Sequence, residues 1–264
     1  MSLPKGADVY RYINEIAPYR QMEEWDNCGF QVGDPEKRVE RAVVALDCTA
    51  AVLEEAIQLQ AQLIVTHHPL IFRPLKALTA DLLAYRLAQC GIGCLSAHTN
   101  YDVAAGGVND LLARRLGLRG VTGFAKTGQG EDGSPVFLGR VGSLEQQLTP
   151  EDFGRAVKAA LGCGGLRISR PASDRMISRV AVLGGAGGDF LDQAALTGAD
   201  AFVTSEVKHN QWLDARDMDI TLVDAGHFST EQPAVEPLRR RLENRFPEVE
   251  WHLSHSCEDP ALYL

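Results

Sequence analysis

The chain has 264 residues, of which 45% are hydrophobic and 23% charged, the balance of an ordinary folded protein rather than a disordered or fibrous one. Its formal net charge of -9 and sequence pI near 5.3 argue against a nucleic-acid footprint, which needs a basic face, and suit cation binding better. Six cysteines are scattered at 28, 48, 90, 94, 163 and 257; Cys90 and Cys94 have no second pair to complete a zinc finger, so reduced, buried thiols are expected.

The opening Met1-Ser2-Leu3-Pro4-Lys5-Gly6 has no long apolar h-region, and no apolar run approaches membrane-spanning length, so a cytoplasmic protein without a membrane partner is expected. From Arg41 the chain alternates Val/Ile/Leu-rich runs with helical spacing, the pattern of βα units. Arg41 to Leu46 reads as a strand. Thr49 reads as a helix cap, with Leu53, Ala56 and Ile57 on one face, and Gln62 to Thr66 as the next strand. His67-His68-Pro69 follows at that strand's carboxyl end. A helix is predicted over Asp81 to Gln89, a strand over Ile92 to Ser96, then His98-Thr99-Asn100-Tyr101-Asp102 and a helix over Val108 to Leu116.

A Gly-rich stretch around Gly128 to Gly133 separates a second set of elements. Thr149-Pro150-Glu151 opens a helix to Leu161, with Pro in its first turn. Strands are predicted at Met176 to Leu183, Ala199 to Thr204, Ile220 to Val223 and Val249 to Leu253, and helices at Asp189 to Thr197 and Thr230 to Arg245, with Thr230 as cap. Arg41 to Thr66 can be laid without gaps on Arg179 to Thr204; seven of the twenty-six pairs are identical, among them Leu53/Leu191, Val65/Val203 and Thr66/Thr204. Two similar α/β lobes with mixed sheets packed around a metal-containing cleft are therefore expected, one over residues 1-125 and the other over 126-264. Ser205-Glu206 then takes the strand-end place of His67-His68, because ligands in α/β sheets gather outside the carboxyl ends of strands.

Five of the seven histidines, at 67, 68, 98, 209 and 227, lie at or just beyond predicted strand ends, together with Asp102, Glu206, Asp224 and Glu231. A single such histidine is more often structural; the concentration points to metal. Adjacent histidines at a turning strand end can diverge to serve two neighbouring ions, with Pro69 stiffening the turn. His227 and Glu231 are four apart and can reach a common centre. Imidazole and carboxylate together suit Zn, Fe, Mn or Ni. Gly184-Gly185-Ala186-Gly187-Gly188 offers either an anion cradle or tight turn packing.

Five segments carry a resemblance: Trp25-Asp26-Asn27-Cys28-Gly29-Phe30-Gln31-Val32-Gly33, Thr66-His67-His68-Pro69-Leu70, His98-Thr99-Asn100-Tyr101-Asp102, Ser205-Glu206-Val207-Lys208-His209 and Asp224-Ala225-Gly226-His227 with Glu231. In order and content they resemble the Nif-three-like proteins, also called GTP cyclohydrolase 1 type 2 homologues, in their short form. The resemblance implies two divalent ions per chain, His67 and Asp102 holding one, His68 and His227 the other, and Glu231 bridging both. It also implies a two-lobed protomer in a ring-shaped homohexamer. One departure is Asn210 after Lys208-His209, where the family often has a His pair. Two such ions fit a metal-dependent hydrolase acting on a nucleotide or cyclic amide as small-molecule substrate, with His98, Glu206 and His209 as candidates for catalytic proton transfer. His98 and His209 could equally serve only to hydrogen-bond the ligands. The competing class is a metal-binding, regulatory or adaptor protein without turnover.

Overall fold

The computed structural model describes residues 2-170, 172, 173 and 175-264; Met1, the first residue of the opening stretch read above, lies outside them. The chain forms two compact units, Met1–Ala104 with Val235–Glu258, and Ala105–Ala234 with Asp259–Leu264.

The first unit begins with α1 (Gly6–Ile16) and β1 (Gly29–Val32), then runs β2 (Arg41–Ala45), α2 (Ala50–Gln58), β3 (Leu63–Thr66), α3 (Leu83–Cys90), β4 (Gly93–Ser96) and α4 (Thr99–Val103). Thr49 caps α2 by accepting from the Val52 amide at 3.2 Å. Val52, Leu53 and Ala56 are buried, whereas Ile57, expected on the same face, is 39% exposed. It lies one helical step beyond Ala56, so about 100° of rotation carries it off the buried stripe.

The second unit follows with α5 (Val108–Arg115), the long antiparallel strands β5 (Arg119–Gln129) and β6 (Pro135–Leu148), α6 (Pro150–Leu161), β7 (Arg167–Ile168), β8 (Ile177–Val182), α7 (Leu191–Leu196), β9 (Ala201–Thr204), α8 (His209–Asp217), β10 (Thr221–Asp224) and α9 (His227–Glu231). The single helix expected from Thr230 to Arg245 is three pieces: α9, a 3-10 turn over Gln232–Ala234, and α10 (Val235–Arg245). Pro233 has no amide hydrogen to continue α9, which explains the break. Thr230 lies inside α9 rather than capping a helix, its hydroxyl turned back to the His227 carbonyl at 2.8 Å. With α10 the chain returns to the first unit and ends its sheet with β11 (Glu250–Leu253).

The first sheet has the order β1-β4-β3-β2-β11, with β1 antiparallel and the rest parallel; the second has β5-β6-β8-β9-β10-β7, with β8, β9 and β10 parallel. Both sheets are thus mixed, and β1-β4-β3-β2 has the same order and directions as β7-β10-β9-β8. The register agrees as well. Ala42 pairs with Leu63, Val43 with Ile64 and Val44 with Val65; Val180 pairs with Ala201, Ala181 with Phe202 and Val182 with Val203. Every partner is displaced by the same 138 positions that align the two sequence segments.

Parallel strands covered on both faces need continuous apolar runs, and Ala42, Val43, Val44, Leu63, Ile64 and Val65 are all buried. In the second unit, Val180, Val182, Ala201, Val203, Val223 and Ala225 point alternate side chains at Leu112 of α5 and Phe153, Val157 and Leu161 of α6. These rigid parallel strands end at the two groups of histidines and carboxylates.

Candidate metal centre

In the first unit the parallel ladder runs two residues past β3: the His67 amide donates to the Ala45 carbonyl at 3.2 Å and that of His68 to Leu46 at 2.9 Å. The Thr66 hydroxyl donates to the His68 carbonyl at 2.7 Å, which turns the chain there. The His67 and His68 rings then stand 5.0 Å apart at 45°. His98 follows β4, with its ring 5.1 Å from His67 and 5.5 Å from His68. Each of the three offers a nitrogen within 4.8 Å of the other two.

The other ring nitrogens are held. His67 Nδ1 donates to the Ala97 carbonyl at 2.8 Å, His68 Nδ1 to Asp47 at 2.7 Å and His98 Nδ1 to Asp26 at 2.9 Å. An acceptor at Nδ1 puts the hydrogen there and leaves Nε2 with its lone pair outward, the tautomer of a metal ligand. Asp102, buried on α4, places Oδ1 3.5 Å from His67 Nε2. Burial alone would push the Asp26 carboxyl up. Its hydrogen bonds from His98, Cys28 and Thr99 outweigh that and hold it well below the usual carboxylate range. The same burial and the adjacent Asp26 push the Cys28 thiol up to about 12, so this cysteine is a hydrogen-bond donor to Asp26 rather than a thiolate.

In the second unit Gly226, with φ of 86°, swings the chain out of β10 so that α9 begins at His227. Asp224 braces this turn, accepting from the Gly226 amide at 3.2 Å, the Val207 amide at 3.3 Å and the Arg167 guanidinium. His227 and Glu231 are the first and last residues of one helical turn, with Nε2 to Oε2 at 3.0 Å. His227 Nδ1 donates to Glu206 at 2.6 Å. Glu206 itself sits at φ 53°, a left-handed conformation that costs a non-glycine residue free energy and clusters at functional sites.

Two candidates settle differently. His209 is an exposed side chain opening α8, outside the group formed by Glu206, His227 and Glu231, and Asn210 reaches only Asp214, at 3.4 Å. Sequence reasoning missed Asp47 and the Ala97 carbonyl, and gave Asp26 no role of its own; Asp47 follows β2, Ala97 follows β4 and Asp26 precedes β1, each strand lying beside the one that carries the histidine held, a tertiary relation without local signal. The run Gly184 to Gly188 is tight packing. A Cβ on Gly187 would fall 2.5 Å from Thr204 Oγ1, one on Gly188 2.4 Å from Gln211 Oε1, and one on Gly185 2.2 Å from Glu231 Oε1.

The residues fit divalent ions on their own chemistry. With Nδ1 already donating, His227 Nε2 turns a lone pair toward a carboxylate oxygen 3.0 Å away, and His67 does the same at 3.5 Å. Two acceptors this close need a cation or a proton between them.

Proteins described as "GTP cyclohydrolase 1 type 2 homolog" are 41% identical over 264 residues in Nostoc sp., covering 97% of each chain, and 34% identical over 267 residues in Clostridium perfringens, covering 97% of this chain and 98% of the relative. A crystal structure of a Staphylococcus aureus hypothetical protein superposes with a TM-score of 0.93 at 30% identity, and one of a Bacillus cereus protein related to NIF3 with 0.88 at 27%, each covering 100% of both chains. The sequence pattern of Duf34/NIF3 (NGG1p interacting factor 3) matches residues 4–260, and with the shared fold it follows that the chain belongs to the Duf34/NIF3 family.

Proposed function

We propose that this protein binds two divalent metal ions and uses them to hydrolyse a small molecule of the nucleotide or cyclic-amide class. The observation that carries the reading is the pairing of His Nε2 with carboxylate in each unit, His67 with Asp102 and His227 with Glu231, at 3.5 and 3.0 Å. His67 and Asp102 would hold one ion, His68 and His227 the other, and Glu231 both. Zn, Fe, Mn and Ni all accept this donor set. Bound divalent ions supply Lewis acidity, polarising a carbonyl, phosphoryl or ring carbon and acidifying water.

The chain's own residues do the rest. Asp47, Glu206 and the Ala97 carbonyl fix the ring orientation and tautomer of His68, His227 and His67. His98, held by Asp26 and facing the His67 and His68 rings, is placed to carry a proton to or from a substrate atom. Glu206 acts through His227, and His209, exposed on α8, would act only on a substrate that extends to that helix. The relatives' name places ring-opening of a guanine nucleotide among the reactions to assay. The family resemblance supports a homohexamer as the assembled form, and six free cysteines suit a reducing, cytoplasmic setting. Among the described residues no helix is long and apolar enough to cross a membrane.

The test is metal per chain and hydrolysis of nucleotides and cyclic amides by the wild type, His68→Ala, Glu231→Gln and Glu206→Gln. About two ions per wild-type chain and turnover that needs them are expected, with both falling in the first two variants. Glu206→Gln should weaken metal affinity by about 10- to 100-fold. Fewer than about two ions under metal-replete conditions overturns the two-ion reading. Metal without metal-dependent turnover on any substrate leaves a metal-binding protein of regulatory or adaptor type.

A further inference from the structure

The segment Trp25 to Gln31 supplies no metal ligand, yet its Asp26, Asn27, Cys28 and Gln31 side chains are all held by hydrogen bonds. Asp26 accepts from His98, from the Thr99 amide at 3.1 Å and from the Thr99 hydroxyl. Asn27 donates to the Ile71 carbonyl; Gln31 donates to that carbonyl at 3.3 Å and accepts from the Ile71 amide at 3.1 Å. These bonds tie the Trp25 loop at one end to the start of α4 and at the other to the backbone beside Phe72.

What they hold in place is a pair of uncovered aromatic rings. Trp25 is 59% and Phe72 45% exposed. Their centroids are 5.7 Å apart at 55°, so neither ring covers the face of the other. Both stand near edge-on to His98, at 6.2 Å and 72° and at 6.4 Å and 75°. Large apolar side chains left side by side in water forgo burial that a folded chain normally takes. Here they are left so at the edge of the histidine cluster, on backbone fixed by hydrogen bonds to Thr99 and Ile71.

We propose that Trp25 and Phe72 form an aromatic rest that stacks a planar heteroaromatic ring of purine size and presents it to His98. The proposal deepens the hydrolase reading and rests on it for the reacting centre. It names the two residues that select the substrate class. Stacking tolerates any conjugated ring, because every such ring has a π-face, and rejects a saturated one. Specificity among heterocycles would come from elsewhere in the site.

The test uses metal-loaded full-length protein, with guanosine and adenosine as planar probes and ribose as the saturated control, bound by calorimetry to the wild type, Trp25→Leu, Phe72→Leu and Trp25→Phe. Each leucine variant is expected to weaken nucleoside binding about tenfold, and Trp25→Phe to restore most of it. Ribose should bind weakly and equally throughout, and metal per chain should stay at the wild-type value in all four. The proposal is overturned if the wild type shows no saturable nucleoside binding, if ribose binds as tightly as guanosine, or if the leucine variants bind guanosine like the wild type. A change in oligomeric mass in Trp25→Leu with unchanged guanosine affinity also overturns it and makes the ring pair a subunit contact. Metal measured in the same samples separates the two readings. Trp25-dependent guanosine binding to a chain that holds no metal keeps the aromatic rest and removes the hydrolase; metal-dependent turnover indifferent to Trp25 does the reverse.

Discussion

Gly185 shows how close the backbone comes to a proposed metal ligand. A β-carbon there would sit 2.2 Å from Glu231 Oε1 and 3.3 Å from His227 Nε2, on a backbone with φ of +69°. Gly185→Ala therefore meets two obstacles at once, a left-handed backbone and an occupied space. We expect a loss of about 1–3 kcal/mol of stability in denaturant titrations, with metal content falling well below wild type. Wild-type metal in a folded Gly185→Ala would show that the Glu231 carboxylate need not stay where it is. At this scale the candidate ligands were legible, since histidine pairs at strand ends and a His-x-x-x-Glu spacing are local patterns. Their supports were not: Asp47 meets His68 only because β2 lies beside β3.

Among the elements, the segment after β11 hangs on one side chain of α2. The Glu55 carboxylate accepts from the amides of His255 at 3.0 Å and Ser256 at 3.2 Å and from the Ser254 hydroxyl at 2.5 Å. Partial burial alone would raise its pKa, but these hydrogen bonds outweigh it and the net direction is down. Its stabilising share is then fully present above the ordinary glutamate value of about 4.3 and fades as pH falls below it toward the lower folded value. Glu55→Gln should cost about 1 kcal/mol near neutral pH, with the gap to wild type narrowing below about pH 4 in parallel urea titrations. A gap that widens on acidification would contradict this. The buried βαβ elements were legible from their apolar runs, but β5 and β6, the longest strands, were passed over as a Gly-rich divide. The first four residues of β5 are exposed and its outer edge is unpaired, so no apolar alternation marks it.

At the scale of the molecule, each unit carries candidate ligands of its own, so metal bound to the native chain and not to the unfolded one should add to stability. Removing metal with a chelator is expected to lower the melting temperature by about 5–10 °C, the size that mass action at saturating metal gives for a chain of this length. His67→Ala should show a smaller chelator effect in the same thermal scans, and an unchanged wild-type melting temperature would speak against bound metal. The likeness of the two units was legible because identical residues and register share one displacement. The pairing of β11 with β2 was not, because parallel partners so far apart in sequence leave no local trace. That pairing has a consequence for synthesis on the ribosome. Glu250–Leu253 is made long after Arg41–Ala45, and until it emerges the nascent first sheet keeps β2 as a bare, apolar edge. A strand translated after the second unit's Ala105–Ala234 closes the first sheet begun, so a message cut short anywhere in that stretch yields a sticky product rather than a smaller working one.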